Sequence, residues 1–585
     1  PTLQRFLVTY PQVADHIDTL YGQVRSCSRH AGGVVIADDL DKHMPLISSK
    51  NVRQTPWSEG QNVRHLEPMG FIKFDLLGLS TLRMVDGAIR HILRRHHGVD
   101  NPKFKDVKEY YDNTLHPDVI NLSDSNVYEN IFHKGKWGGT FQFTEAGVQK
   151  YCTQVKPNSI IDLSIITSTY RPGPLAAKVH DQFLEAKENP QSVKYVNDIH
   201  REITEETHGF LIFQEQIALL AHKLGKNLTL DEGNKLRKVL TKKGTGKEAR
   251  VKKKLFTKFI DGCVESGLRQ ATAERLWETF EYFSGYGFNK SHAVSYSLLT
   301  YQCAWLLNYY PAEWMAAFLD KEPETRKEKA LSIAKSFGFK IEPVNVNTSG
   351  KVWEISPNGK TLIQPLSSIK GMGEAAIQQI LDNRPFESIE DFLFNENIVY
   401  SKLNKKKLDV LIRSEALDNF IDHRFSGRKH FWSAVAVDRP RNRKKLNENI
   451  EAYHPEGDFT FEQEIQNIVT LTGRFPFERV VPQDVVDGLT RNCIPPISEF
   501  DPDLMLCWAV PREVKKKTTK KGKDYYEVEV TDVNSTMIKI RCWGINIQRG
   551  DKIIVNVPYL IKPDYSEEWG FSTRGKISDR WKILG

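Results

Sequence analysis

The period of the apolar pattern changes along the chain, and that change limits the fold more than any other feature. From about residue 95 to about residue 325, apolar residues recur at helical spacing in stretches such as EQIALLAHKLG, ATAERLWETFEYFS and SYSLLTYQCAWLLNYY. Side chains three and four residues apart share one helix face, so these stretches predict a large helical body. Short segments bearing Gly, Pro or Asn interrupt it, namely WGGTFQFTEAG, TYRPGPLA and SGYGFNKSHA. A helical scaffold broken in this way presents loops. From about residue 465 the pattern turns to alternation, in NIVTLTGRF, LMLCWAVPREV, YYEVEVTD, MIKIRCWGI and DKIIVNVPYLI. Short alternating runs with turn signals predict a small β-barrel. The fold class expected is therefore multidomain α+β.

The flanking regions fill in the organisation. The first 26 residues read as a helical lead-in, and HAGGVVIADD (His30–Asp39) reads as a tight turn followed by a strand. FIKFDLL, residues 71–77, reads as a second, buried strand, with the helix LSTLRMVDGAIRHILRRHH after it. LIQPLSSIKGMGEAAIQQILDNR (Leu362–Arg384) reads as a helix, a tight turn and a second helix, and KLNKKKLDVLIRSEALDNF as a degenerate repeat of it. The polar, basic span from Asp422 to about Gly457 reads as a linker.

A chain of 585 residues, 40% hydrophobic and 27% charged, supports several folded cores and excludes a disordered protein. No stretch approaches the ~18 uninterrupted apolar residues of a membrane span. The seven cysteines are scattered and never form C-x-x-C. That pattern speaks against a disulfide framework or zinc ribbon and fits a reducing cytoplasm. The net charge of +8 is mild, but basic residues gather in KLRKVLTKKGTGKEARVKKK (Lys235–Lys254), KLNKKK (Lys402–Lys407), RPRNRKK (Arg439–Lys445) and KKKTTKKGK (Lys515–Lys523). One such cluster is an ordinary solvated loop; several along one chain point to an extended polyanion.

Some residues stand out chemically. Asp75 is a carboxylate inside an apolar run, and an ionised carboxylate buried there is costly unless paired. Lys73, two positions earlier, faces the same side of a strand, so a Lys–Asp ion pair is the simplest partner. His30 precedes two glycines that let backbone approach a ligand, or simply caps a turn. Arg171 in YRPGP is held extended by the following proline, and a guanidinium suits triphosphate oxygens; a surface Arg on a rigid loop is the alternative. Arg237, Lys238, Lys242 and Lys243 make a basic stretch at helical spacing, which on its own reads as a solvated helix face. In SGYGFNKSH, Tyr286 and Phe288 are fit to stack a base, Lys290 and His292 to reach phosphate, and Asn289 to cap a helix. In SIKGMGE, Lys370, Gly371 and Gly373 form a turn that bares N–H groups before a helix, a dock for DNA phosphate. Lys405 belongs to the neighbouring basic cluster, and Lys520 and Lys521 to a long basic loop expected between the first two barrel strands.

SRHAGGVVIADD, FIKFDLLGLSTL, FQFTEAGVQKY, TYRPGPLA, FQEQIALLAHKLG, FSGYGFNKSHAVSYSLLTYQCAWLLNYYPAEWMAAFL and IKGMGEAAIQQIL occur in this order. Together they resemble the alpha subunits of bacterial replicative DNA polymerase III, the C-family polymerases. The resemblance implies the later part of a palm over residues 1–95 and fingers over 96–328. It implies a tandem helix-hairpin-helix, clamp-binding-like region with a linker over 329–455, and an OB-fold over 456–585. It makes Asp75 the third catalytic aspartate and a ligand of two Mg²⁺ ions, with Lys73 beside it at the primer terminus and His30 at nucleic acid or the metal shell. It makes Arg171, the basic stretch and the SGYGFNKSH residues nucleotide-binding. The earlier palm segment of this family, with a Gly/Ser-rich loop and an Asp-x-Asp pair, has no counterpart here, nor does its PHP domain. The resemblance therefore implies a split or truncated polymerase, bacterial or phage, that works on primer-template DNA and dNTPs together with a complementary N-terminal chain. A non-catalytic DNA-binding remnant is the alternative. A sliding clamp is a further possible partner, but DFLF and DFTF are the only weak matches to a clamp-docking peptide.

Overall fold

The computed structural model describes residues 2–20, 23, 29–30, 32–49, 51–58, 65–240, 247–284, 287–323, 326–519, 522–534, 537–544, 552–566 and 569–584. Two compact units, Pro1–Ser80 and Thr81–Gly585, divide the chain.

The first unit holds the helices Thr2–Thr9 and Ala14–Leu20 and two small antiparallel ribbons. One pairs β1 (Gly33–Val35) with β4 (Lys73–Asp75), setting Gly33 opposite Asp75, Val34 opposite Phe74 and Val35 opposite Lys73. The other pairs β2 (Ile47–Ser49) with β3 (Val52–Gln54). The expected buried strand over residues 71–77 is shorter and more open than its composition predicts. Ile72, Leu76 and Leu77 are 67%, 67% and 69% exposed, and Val34 and Phe74 more than 40%. Among the described residues of this unit no second layer covers this three-residue strand, and its apolar side chains stay exposed.

The second unit opens with the helix Ser80–His96, which buries Met84, Val85, Ala88, Ile89, Ile92 and Leu93. Gly87 allows it close to the helix Pro311–Lys321, since a Cβ there would lie 3.2 Å from that of Ala317. The contact is pinned by the buried Glu313, which accepts from Arg95 Nε at 2.8 Å and lies 2.9 Å from His96 Nε2. The predicted helices are present as Gln214–Leu224, Gln270–Ser284 and Lys290–Tyr309. The last runs along Ile160–Thr169 through a contact of small residues, Ser164 Oγ donating to Ser297 Oγ at 3.1 Å. A helix apolar on all sides is buried on all sides, and Ile160–Thr169 buries Leu163, Ile165 and Ile166 as well as Ser164, Ser168 and Thr169.

Several readings of the later chain are corrected. The helix expected before KGMG is replaced by β7 (Thr361–Ile363) and a 3-10 turn at Leu366–Ser368. Pro365 explains this, because it steers Gln364 away from helical angles and cannot donate within a helix. β7 lies between β5 (Lys340–Glu342) and β6 (Glu354–Ile355). The second helix, Glu374–Asn383, forms as expected. The supposed linker is folded, with helical turns at Arg428–Trp432 and Ser433–Val437 and the helix Arg443–Ala452. Phe431, Ala434, Val435 and Leu446 there join one core with Ile377, Leu408 and Leu411 of the hairpin region. Arg428 ties that span to its surroundings by pairing with Glu415 at 3.1 Å, Asp418 at 2.6 Å and Glu464.

NIVTLTGRF belongs to a helix, Phe461–Thr472, and not to a strand. Thr460 and Gln463 form a reciprocal capping box, and Gly473 closes the helix at φ 67°. The strands begin at β8 (Cys507–Thr518) and continue with β9 (Asp524–Thr531), β10 (Ile538–Trp543), β11 (Tyr559–Ile561), β12 (Asp564–Ser566), β13 (Gly570–Arg574) and β14 (Trp581–Ile583). They make one curled sheet ordered β12-β13-β10-β9-β8-β11-β14. Its inner face packs Cys507, Ala509, Val528, Val530, Ile540 and Ile561. The first part of the basic loop predicted over Lys515–Lys523 is strand, since β8 runs to Thr518 and its residues 515–518 pair with β9.

Candidate functional site

In the first unit, β1 and β4 bring His30, Lys73 and Asp75 together. Lys73 Nζ lies 3.3 Å from Asp75 Oδ1, and His30 Nδ1 lies 4.0 Å from the same oxygen. Asp75 is thus paired by the residue its spacing nominates, but its side chain is 47% exposed and not buried. His30 Nδ1 accepts from the N–H groups of Gly32, at 3.1 Å, and Gly33, at 2.5 Å. That nitrogen's lone pair is therefore engaged by backbone, so its approach to Asp75 is not a proton-sharing ion pair. Gly32 is required by close packing, since a Cβ there would meet Leu76 O at 2.4 Å.

Among the described residues, no three His, Cys, Asp or Glu side chains are grouped so that they could hold a metal ion. Two Mg²⁺ ions about 3.5–4 Å apart need several oxygen ligands, carboxylates chief among those a protein supplies. Asp75 with an imidazole and an ammonium does not fit that requirement alone.

In the second unit, three segments far apart in sequence converge. Phe288 bridges to Phe213, its N–H donating to Ile212 O at 3.1 Å and its carbonyl accepting from Gln214 N at 2.9 Å. Gln214 Nε2 also donates to Gly287 O at 2.7 Å. The Arg171 guanidinium stacks 4.4 Å above the Phe288 ring. Asn289 caps the helix Lys290–Tyr309, accepting from His292 N at 2.8 Å. The His292 ring then lies 5.3 Å from Phe288 and 4.1 Å from Tyr296. Arg171, Phe288, Asn289, Lys290 and His292, all picked from sequence, therefore occupy one place at the start of a 20-residue helix. The helix dipole favours an anion at such a start.

Sequence reasoning missed two carboxylates here. Glu215 accepts from Asn289 Nδ2 and from Lys290 N, each at 2.9 Å, and so staples the turn. Glu206 receives the Lys290 ammonium on both oxygens, at 2.6 and 2.8 Å. Lys290, expected to reach phosphate, rests instead in an ion pair. The FQEQ motif held the signal for Glu215; nothing local marked Glu206. Tyr286, Lys242 and Lys243 lie outside the described residues, as do the side chains of Arg237 and Lys238, which sit on the helix Leu230–Leu240. A cavity of about 370 Å³ lined by Gln182, Glu185, Lys194 and His208 contains none of the predicted residues.

The hairpin turn is built as expected on its second side. Gly371 has φ +99°, a conformation that favours glycine, and Gly373 precedes the helix Glu374–Asn383. Lys370 is exposed while its N–H donates to Leu471 O at 2.8 Å. The Gly371 carbonyl is taken by Lys407 Nζ. Lys351 pairs with Glu374 at 2.5 Å and holds that carboxyl below its usual range. Lys405 is turned to Val437 O and Asp438, at 3.1 and 3.3 Å.

On the terminal sheet, the expected basic patch is partly neutralised. Lys515 pairs with Glu513, Lys516 with Asp524 and Lys517 with Glu527. Lys520 and Lys521 lie outside the described residues. The structure adds an aromatic surface, with Tyr525 and Trp543 stacked at 4.7 Å across β9 and β10 and Lys523 Nζ 5.6 Å from the Trp543 ring. Trp569, 64% exposed, stands beside Arg541, whose guanidinium lies 5.9 Å from its ring. Of the two clamp-like strings, DFLF is packed inward, with Phe392 1% and Leu393 5% exposed. It is not free to dock on anything.

Three family models match the chain. The bacterial DNA polymerase III alpha NTPase domain matches residues 3–78, the bacterial DNA polymerase III alpha subunit finger domain residues 101–267, and a helix-hairpin-helix motif residues 338–426. Among similar curated proteins, the DNA polymerase III subunit alpha of Campylobacter jejuni is 33% identical over 435 residues, 72% of this chain and 34% of that protein. The subunit of the same name from Thermus aquaticus is 33% identical over 426 residues, 70% of this chain and 32% of its own length. That of Aquifex aeolicus is 31% identical over 417 residues, 70% and 34% respectively. The chain spans about a third of the length of the curated relatives it matches. No helix among the described residues is long and apolar enough to cross a membrane.

Proposed function

Because the chain belongs to the family of the bacterial DNA polymerase III alpha subunits, we propose that it is the part of a DNA-directed DNA polymerase that receives the incoming dNTP and holds primer-template DNA. The observation that carries this reading is the convergence of Arg171, Phe288, Asn289, Lys290 and His292 at one helix start. A guanidinium over an aromatic ring, an ammonium and the positive end of the helix dipole attract phosphate oxygens, while Phe288 offers a face to a base. Arg237, Lys238, Lys242, Lys243 and Tyr286 complete the nucleotide surface in this proposal. Lys370, Gly371, Gly373 and Lys405 hold duplex phosphates without reading bases. The Tyr525–Trp543 stack, with Lys523 beside it, takes single-stranded template in this proposal, and Lys520 and Lys521 add positive charge for that strand.

Asp75 is the acidic group this chain contributes to the chemistry, with Lys73 offsetting phosphate charge beside it and His30 fixing the backbone at Gly32 and Gly33. Since the donor set among the described residues does not fit two Mg²⁺ alone, in this proposal a complementary N-terminal segment or chain brings the remaining carboxylates. The domains follow as palm over 1–95, fingers over 96–328, hairpins over 329–455 and OB-fold over 456–585. A sliding clamp remains a proposed partner.

The nucleotide assignment is tested by triphosphate binding. Arg171→Ala removes a charged phosphate contact, a class of hydrogen bond with a net contribution of about 1.5–3 kcal/mol. Photo-crosslinking of a labelled dNTP to the chain should weaken roughly tenfold or more, with the label in wild type mapping to residues 284–296. Crosslinking at unchanged efficiency, or to a peptide elsewhere, contradicts the assignment.

A further inference from the structure

We propose that Glu206 sets the affinity of this site for triphosphates by holding Lys290 in a resting ion pair that the incoming anion must displace. The inference rests on the reading of the Lys290 helix start as a triphosphate site. Glu206 occupies both of its oxygens with the Lys290 ammonium, at 2.6 and 2.8 Å, so an internal carboxylate stands where phosphate oxygens would bond.

The geometry fits a displaceable pair. The two side chains are 34% and 32% exposed, so solvent and a solvated anion reach them. Pairs this open contribute at most about 1 kcal/mol, and a triphosphate brings several negative charges to compete. The Lys290 backbone is held separately, its N–H donating to Glu215, so its side chain can swing while the helix start stays put.

Glu206 does not follow it. Its 3-10 turn, Glu205–Thr207, is anchored by the buried Thr207, whose Oγ1 donates to Phe210 O at 2.6 Å and accepts from Gln216 Nε2 at 2.8 Å. Once the ammonium leaves, Glu206 is left as a fixed negative charge near the bound anion. Both the lost pair and that repulsion oppose binding, and both vanish when the carboxylate is removed. A structural role for Glu206 as a guide for Lys290 gives the opposite sign, because the ammonium would lose its orientation.

Binding of dATP and of inorganic tripolyphosphate to the 585-residue chain separates these. Glu206→Gln should tighten both by roughly three- to tenfold, and the same change in a Lys290→Met background by a smaller factor, since only the repulsion then remains to be relieved, the shortfall being the coupling between the two side chains. Unchanged or weakened binding in Glu206→Gln, or equal tightening in both backgrounds, overturns the inference while wild-type binding upholds the site. A wild-type chain that binds neither probe overturns the site reading itself, and the inference with it.

Discussion

Asp75→Asn should lower primer extension by about 10³-fold or more, in a mixture of this chain with the complementary polypeptide, while leaving DNA and dNTP binding within about twofold. The substitution keeps the size of the side chain and removes its charge. An acidic ligand contributes through the charge it brings to the metal pair, several kcal/mol at the transition state, and each 1.36 kcal/mol is tenfold in rate. Folding is little affected, because the side chain is 47% exposed and its pairing with Lys73 at 3.3 Å is open to solvent. Extension assayed beside binding thus distinguishes a reacting-centre residue from a strand residue. A loss of both, or a rate within tenfold of wild type, would remove Asp75 from the chemistry.

The largest stability effect is expected at Arg428. Its side chain is 12% exposed and faces Glu415, Asp418 and Glu464 together. Arg479 adds a second cation, 2.5 Å from Glu415. Burial pushes the Asp418 carboxyl above its usual range, and the Arg428 guanidinium opposes that shift. Arg428→Ala leaves three carboxylates gathered with one cation, and breaking a buried pair from one side costs about 3–5 kcal/mol. Denaturant unfolding followed by tryptophan fluorescence should show that loss. Lys445→Ala is the control, since Lys445 is 45% exposed, lies 3.7 Å from Asp438 and 3.9 Å from Glu448, and its removal should cost no more than about 1 kcal/mol. Equal losses for the two would mean that Arg428 is not the tie that makes this region rigid.

The same residue shows where sequence runs short. The span around Arg428 is polar and basic, which reads as a linker, because composition cannot reveal that three acids from residues 415, 418 and 464 meet one guanidinium. Sequence placed the helices of residues 100–320 well, since helical spacing there is long and repeated. It misjudged Phe461–Thr472, where β-branched residues imitate a strand, although Thr460, Gln463 and Gly473 carry both ends of a helix. It read FIKFDLL as buried because apolar residues normally find a covering layer, and the ribbon of β1 and β4 has none among the described residues. At the helix start, TYRPGP and GYGFNKSH were each legible as motifs. Their meeting, and the carboxylates of Glu215 and Glu206 that hold Asn289 and Lys290, depend on contacts across more than 70 residues.

Primer extension by the purified 585-residue chain, alone and mixed with a family polypeptide that carries the earlier palm segment, is the most direct test of the whole account. The account predicts no extension by the chain alone and dNTP-dependent extension by the mixture. Extension by the chain unaided, or a mixture that binds primer-template and dNTP yet never adds a nucleotide, would contradict it.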